Sequence, residues 1–151
     1  MPVEPGRIRL DFPSTALAAP AYGFGSITVR ASAALSNTTS STASSSQSNY
    51  IDARGVVLYS DITAAGTSGT GALTIRMQEY AELADTWIDS TGAAFAATTA
   101  TGQRTLYLYP GMAETVNTEV SRPVAPIWRI QADVSSSAGS FTFSVGARYL
   151  R

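Results

Sequence analysis

The chain has 151 residues, a formal net charge of −1, 44% hydrophobic and 14% charged residues, and no Cys, His or Lys. Those absences exclude disulfides and Cys-based zinc sites, the commonest general base, and the lysine chemistry of Schiff bases and P-loops. So little charge argues against nucleic-acid binding, which leaves a basic footprint, while the length and apolar fraction suit one domain with a real core.

Residues 1–25 carry Pro2, Pro5, Pro13 and Pro20. Proline fixes φ and removes a backbone donor, which rules out a regular helix or a central strand here. The segment is nevertheless apolar. Arg7 and Arg9 alternate with Ile8 and Leu10, and Phe12, Tyr22 and Phe24 follow. That pattern predicts an extended arm in which these seven residues bind a neighbouring subunit or partner, as an added edge strand would. The competing expectation is an arm packed on its own domain. MPVEPGRIRLDFP contains no uncharged apolar stretch of signal-peptide length, and no run approaches a membrane helix. A soluble chain made in the cytoplasm is therefore expected.

Ser26 to Ser36 alternates as a strand, with Ile27, Val29, Ala31 and Ala33 on one face. Side chains of a strand point alternately to its two faces, so apolar residues at every second position mark one buried and one wet face. Residues 37–48, nine of the twelve Ser or Thr, cannot bury enough apolar surface to order cheaply and read as a mobile surface loop. Arg54 to Ile62 is the next strand. Its continuous Val56-Val57-Leu58-Tyr59 run suits a strand covered on both faces. Ala64 to Gly71 reads as a loose hairpin loop, since its glycines lack the Lys of a phosphate cradle.

Ala72 to Tyr80 is the clearest strand, with Leu73, Ile75 and Met77 in phase. Ala81 to Asp85 is expected to make one helical turn, and Trp87 and Ile88 to return to the core. Gln103 to Tyr109 is a strand stopped by the turn pair Pro110-Gly111. Met112 to Pro126 reads as a long connection. Ile127 to Val134 and Ser140 to Tyr149 read as a final hairpin across Ser135–Gly139. At least six strands without a long amphipathic helix predict an all-β fold. The expected architecture is an antiparallel β-sandwich, jelly-roll-like, comprising residues 26–151 behind the arm of residues 1–25.

Two groups of residues could carry chemistry. Glu79, Glu82, Asp85 and Asp89 lie close in sequence, but their spacing does not match a calcium loop, and a solvated loop edge is expected instead. Tyr107 and Tyr109 share a strand face, and Trp128 stands in the expected last hairpin. Such aromatics either stack on sugars or fill the core of a sandwich. No serine sits in a nucleophile elbow, and a triad would lack its base. Neither an enzymatic activity nor any cofactor or metal is expected.

Residues 54–151 resemble small β-structured virion proteins of tailed bacteriophages, in particular capsid decoration (auxiliary head) proteins. The likeness rests on a strand with Leu73, Ile75, Met77, Gln78 and Glu79, leading to a turn with Asp85, Thr86, Trp87 and Asp89. It rests also on an expected C-terminal hairpin running from Trp128 to Val134 and from Phe141 to Arg148. Tyr80-Ala81-Glu82-Leu83 replaces the short Asp-Gly turn usual in that group, and residues 110–126 are longer than a simple connection. The resemblance implies a non-enzymatic protein on the capsid surface of the virion that binds and stabilises the assembled shell. Its implied partners are the major capsid protein and further copies of itself, a trimer being favoured, with neither nucleic acid nor membrane involved. The alternative reading is a carbohydrate-binding β-sandwich of a phage tail or host-surface adhesin.

Overall fold

The computed structural model describes residues 26–36, 41–49, 53–65, 71–135 and 139–151. Ten strands follow in order: β1 (Ser26–Ser36), β2 (Ser41–Ala43), β3 (Gln47–Ser48), β4 (Gly55–Ala64), β5 (Leu73–Ala81), β6 (Thr86–Ala94), β7 (Gly102–Leu108), β8 (Glu119–Val120), β9 (Ile127–Val134) and β10 (Ser140–Leu150). Among the described residues there is no α-helix, and a 3₁₀ turn at Glu82–Ala84 joins β5 to β6. One sheet runs β1-β10-β4-β7-β8, the other β2-β9-β5-β6, with β3 extending the edge on β9. Among the described residues all strand pairings are antiparallel except β7 with β8.

The order β1-β10-β4-β7 opposite β2-β9-β5-β6 is that of a jelly roll: β1 to β2, β4 to β5, β6 to β7 and β9 to β10 each cross from one sheet to the other. Alternation built this core. Leu73, Ile75 and Met77 point inward from β5, Trp128, Ile130 and Ala132 from β9, and Phe141, Phe143, Val145 and Ala147 from β10. They meet Val56, Leu58 and Ile62 of β4 and Leu106 and Leu108 of β7. Each fully buried Val, Leu, Ile, Phe or Met among them stabilises the fold by about 1.5–3 kcal/mol.

Several expectations need correction. Ser135–Gly139 does not close a hairpin, because β9 and β10 lie in different sheets; the same holds for Ala64–Gly71 between β4 and β5. Part of the Ser/Thr-rich stretch forms edge strands: β2 and β3 both pair with β9, and the Ser44 amide bonds to the Ile130 carbonyl at 2.8 Å. Backbone pairing, which needs no apolar side chain, orders it. Ala31 and Ala33 are exposed, while Val29 and Leu35 are buried. Two register shifts along β1 break its phase against β10. The 112–126 connection contains β8. Trp87 is only half-buried and Ile88 is 44% exposed, because β6 is an edge strand with cover on one side only. Val56, Val57 and Leu58 are buried as expected for β4, but Tyr59 is 40% exposed.

Candidate functional site

The outer face of β9-β5-β6 carries a continuous polar and aromatic network. Gln78 stands in register with Arg129 on one side and Asp89 on the other. The Gln78 amide donates to Asp89 at 2.8 Å, and Arg129 Nε donates to the Gln78 carbonyl oxygen at 2.9 Å. Arg76 pairs with Asp89 at 3.0 Å and also with Asp133. The Arg129 guanidinium lies 4.3 Å over the Trp87 ring, a cation–π contact, and Tyr80 and Trp87 have centroids 5.2 Å apart. The Tyr80 hydroxyl donates to Asp85, which raises its pKa above the ordinary tyrosine value, helped by desolvation and the nearby charge of Glu82.

Glu79 has the opposite phase and receives a two-pronged bond from Arg122 at 3.1 and 3.2 Å. The acidic loop therefore splits up: Glu79, Asp85 and Asp89 each serve a different partner. Among the described residues no group of three or more His, Cys, Asp or Glu could hold a metal ion. At the end of this hairpin Leu83 is fully exposed, held out on the 3₁₀ turn.

The outer face of β10-β4-β7 has a different character. Its cross-strand rows are Arg148–Val57–Tyr107, Gly146–Tyr59–Thr105 and Ser144–Asp61–Gln103. Tyr59 and Tyr107 are 40% and 36% exposed. Over the second and third rows lies an open groove of about 290 Å³ lined by Tyr59, Ser60, Asp61, Gln103, Arg104, Thr105, Ser144 and Gly146. Of the aromatics singled out from sequence, only Tyr107 stands on this platform. Tyr109 is half-buried under the Arg54 guanidinium and donates its hydroxyl to the Arg151 carbonyl at 3.2 Å. Trp128 is core. Tyr59 was hidden in an apolar run, although its phase, odd against Val56, Leu58 and Ile62, marks it as outward.

The predicted partner-binding residues Arg7, Ile8, Arg9, Leu10, Phe12, Tyr22 and Phe24 lie outside the described residues. Among the described residues no helix is long and apolar enough to cross a membrane. No protein-family model matches the chain, and no curated protein matches it.

Proposed function

We propose that this chain is a non-enzymatic virion protein that binds and stabilises an assembled phage capsid, acting as a trimer on the shell surface. The observation that carries the reading is the β5–β6 hairpin. Its two strands carry part of the resemblance, while its turn, where the chain departs from that group, holds out a fully exposed leucine between the paired Tyr80 and Trp87 rings, with the Arg129 cation over Trp87. A leucine held out on a braced turn is an anchor for a partner's apolar socket. Jelly rolls are used in viral capsids, which supports the reading by fold analogy alone. Residues 1–25, with Arg7, Ile8, Arg9, Leu10, Phe12, Tyr22 and Phe24, supply a second contact on the shell or a neighbouring copy.

The test is co-sedimentation with empty shells of the major capsid protein from the phage that encodes the chain. Leu83→Asp is expected to weaken binding at least about tenfold while the protein melts normally, a loss of about 1.4 kcal/mol. Deleting residues 2–22 is expected to leave a folded protein that binds more weakly. Full-length protein that ignores the shells removes the reading. Sedimentation equilibrium tests the trimer, and a strict monomer at high concentration removes that part.

A further inference from the structure

We infer that the outer face of β10-β4-β7 is a binding platform for a neutral hexopyranose chain, centred on Tyr59. Four observations converge there. Two tyrosine rings stand out from the middle of a sheet, on neighbouring strands and in adjacent rows. Gly146, with no side chain, sits in register beside Tyr59 and opens the groove of about 290 Å³. Asp61 and Gln103 face each other in the next row. Among the described residues, the hydroxyls of Tyr59 and Tyr107, the Asp61 carboxylate and the Gln103 amide engage no side-chain hydrogen bond. The opposite sheet shows the contrast: there Asp89, Gln78, Arg129 and Arg76 use each other up.

The spacing fits a sugar. Residues two apart on a strand are separated by about 7 Å, and neighbouring strands by about 4.8 Å. A pyranose laid with its apolar C–H face on the Tyr59 ring would therefore bring its hydroxyl edge over Asp61 and Gln103. A carboxylate and an amide side by side supply acceptors and donors for vicinal hydroxyls. Tyr107 is placed to take a second sugar unit. Charge decides against the other occupants. Of the two cations near the groove, Arg104 gives its guanidinium to the Ala96 carbonyl at 3.0 Å and the Thr98 hydroxyl at 2.6 Å, and Arg148, in the row of Tyr107, is engaged as well. Asp61 is thus left to repel phosphate or uronate, and a protein face would have to bury its charge.

Affinity gel electrophoresis with dextran, galactomannan, xyloglucan and hydroxyethylcellulose tests this. At least one is expected to retard the full chain, with little dependence on salt. Tyr59→Ala and Asp61→Ala are each expected to weaken retardation roughly tenfold, and Tyr107→Ala to weaken it less. All three side chains are solvent-exposed or half-buried, so the variants should melt as the parent does. Leu83→Asp should bind sugar normally, which separates this site from the shell contact. No retardation by any of the four polysaccharides, or retardation indifferent to Tyr59→Ala, overturns the inference. Loss of shell binding in Tyr59→Ala without any sugar binding would assign the face to a protein instead.

Discussion

Trp128 and Tyr149 meet edge to face in the core, with ring centroids 6.3 Å apart at 80°. The indole N–H donates to the Tyr149 oxygen at 3.2 Å, and the Tyr149 hydroxyl donates to the Ser48 carbonyl at 3.1 Å. One phenol thereby satisfies a buried indole and ties β3 to the far sheet. Tyr149→Phe keeps the ring but leaves both partners unpaired, and is expected to cost about 1–3 kcal/mol in denaturant unfolding. Burial pushes the Tyr149 pKa up, with the indole bond working the other way. A raised folded value means that the fold holds this proton longer than the unfolded chain does. Its contribution is complete below the ordinary tyrosine value of about 10 and is lost as pH rises through the folded value. Melting temperature should therefore fall more steeply above about pH 10 in the parent than in Tyr149→Phe.

The β5–β6 hairpin shows how a turn is specified. Asp85 has φ 51°, in the left-handed region, and its amide closes on the Glu82 carbonyl. Aspartate tolerates that conformation better than most residues and here also accepts from Tyr80. Asp85→Ala loses both advantages and should cost about 1–2 kcal/mol; Asp85→Gly keeps the backbone ease and should fall between Ala and the parent. At Gly55 the constraint is space. A Cβ would stand 2.2 Å from the Leu108 carbonyl oxygen, so Gly55→Ala should cost about 1–3 kcal/mol or shift the start of β4. Thermal melts of the three variants check both statements. At this scale six of the ten strands, β1 at its observed bounds, are legible because period two needs only the local sequence; β2, β3, β6 and β8 are not, since they are short or edge strands without a sustained apolar alternation. The partners of the six are not legible either. Alternation tells which side chains of β9 and β10 turn inward but is silent on which sheet each strand joins, and so their closeness in sequence alone predicts a hairpin. Trp87 failed for a related reason: Trp87 and Ile88 are adjacent and cannot both point inward. For the candidate site, Tyr107 is visible by phase; Tyr59 and Asp61 also share a phase of β4, but Gly146 and Gln103 come beside them only through the cross-strand register.

The whole molecule is closed by its ends. β10, last in the chain, lies between β1 and β4, and Ser26 stands in register with Arg148. The Arg54 amide bonds to the Leu150 carbonyl at 2.9 Å, so β4 starts where β10 ends. Apart from β5–β6 and β7–β8, the other strand pairings are also distant in sequence, which makes folding slow, in the range of milliseconds to seconds. The cost of bringing β1 to β10 is chiefly the entropy of closing a very long loop. A permuted chain isolates that cost. Arg151 would be joined to Ser26 by a short glycine linker, with new ends between Ala113 and Glu114, both exposed. The β1–β10 pair then becomes a local hairpin, and shortening the loop from over a hundred residues to a handful saves about 3 kcal/mol of closure entropy. The expected outcome is an unchanged far-ultraviolet spectrum, a cooperative melt, and refolding faster than an unpermuted control that also begins at Ser26. Equal refolding rates would mean that β1 docks after the rate-limiting step. A permuted chain that fails to fold while the control folds would mean that the β7–β8 connection must stay intact for the jelly roll to close.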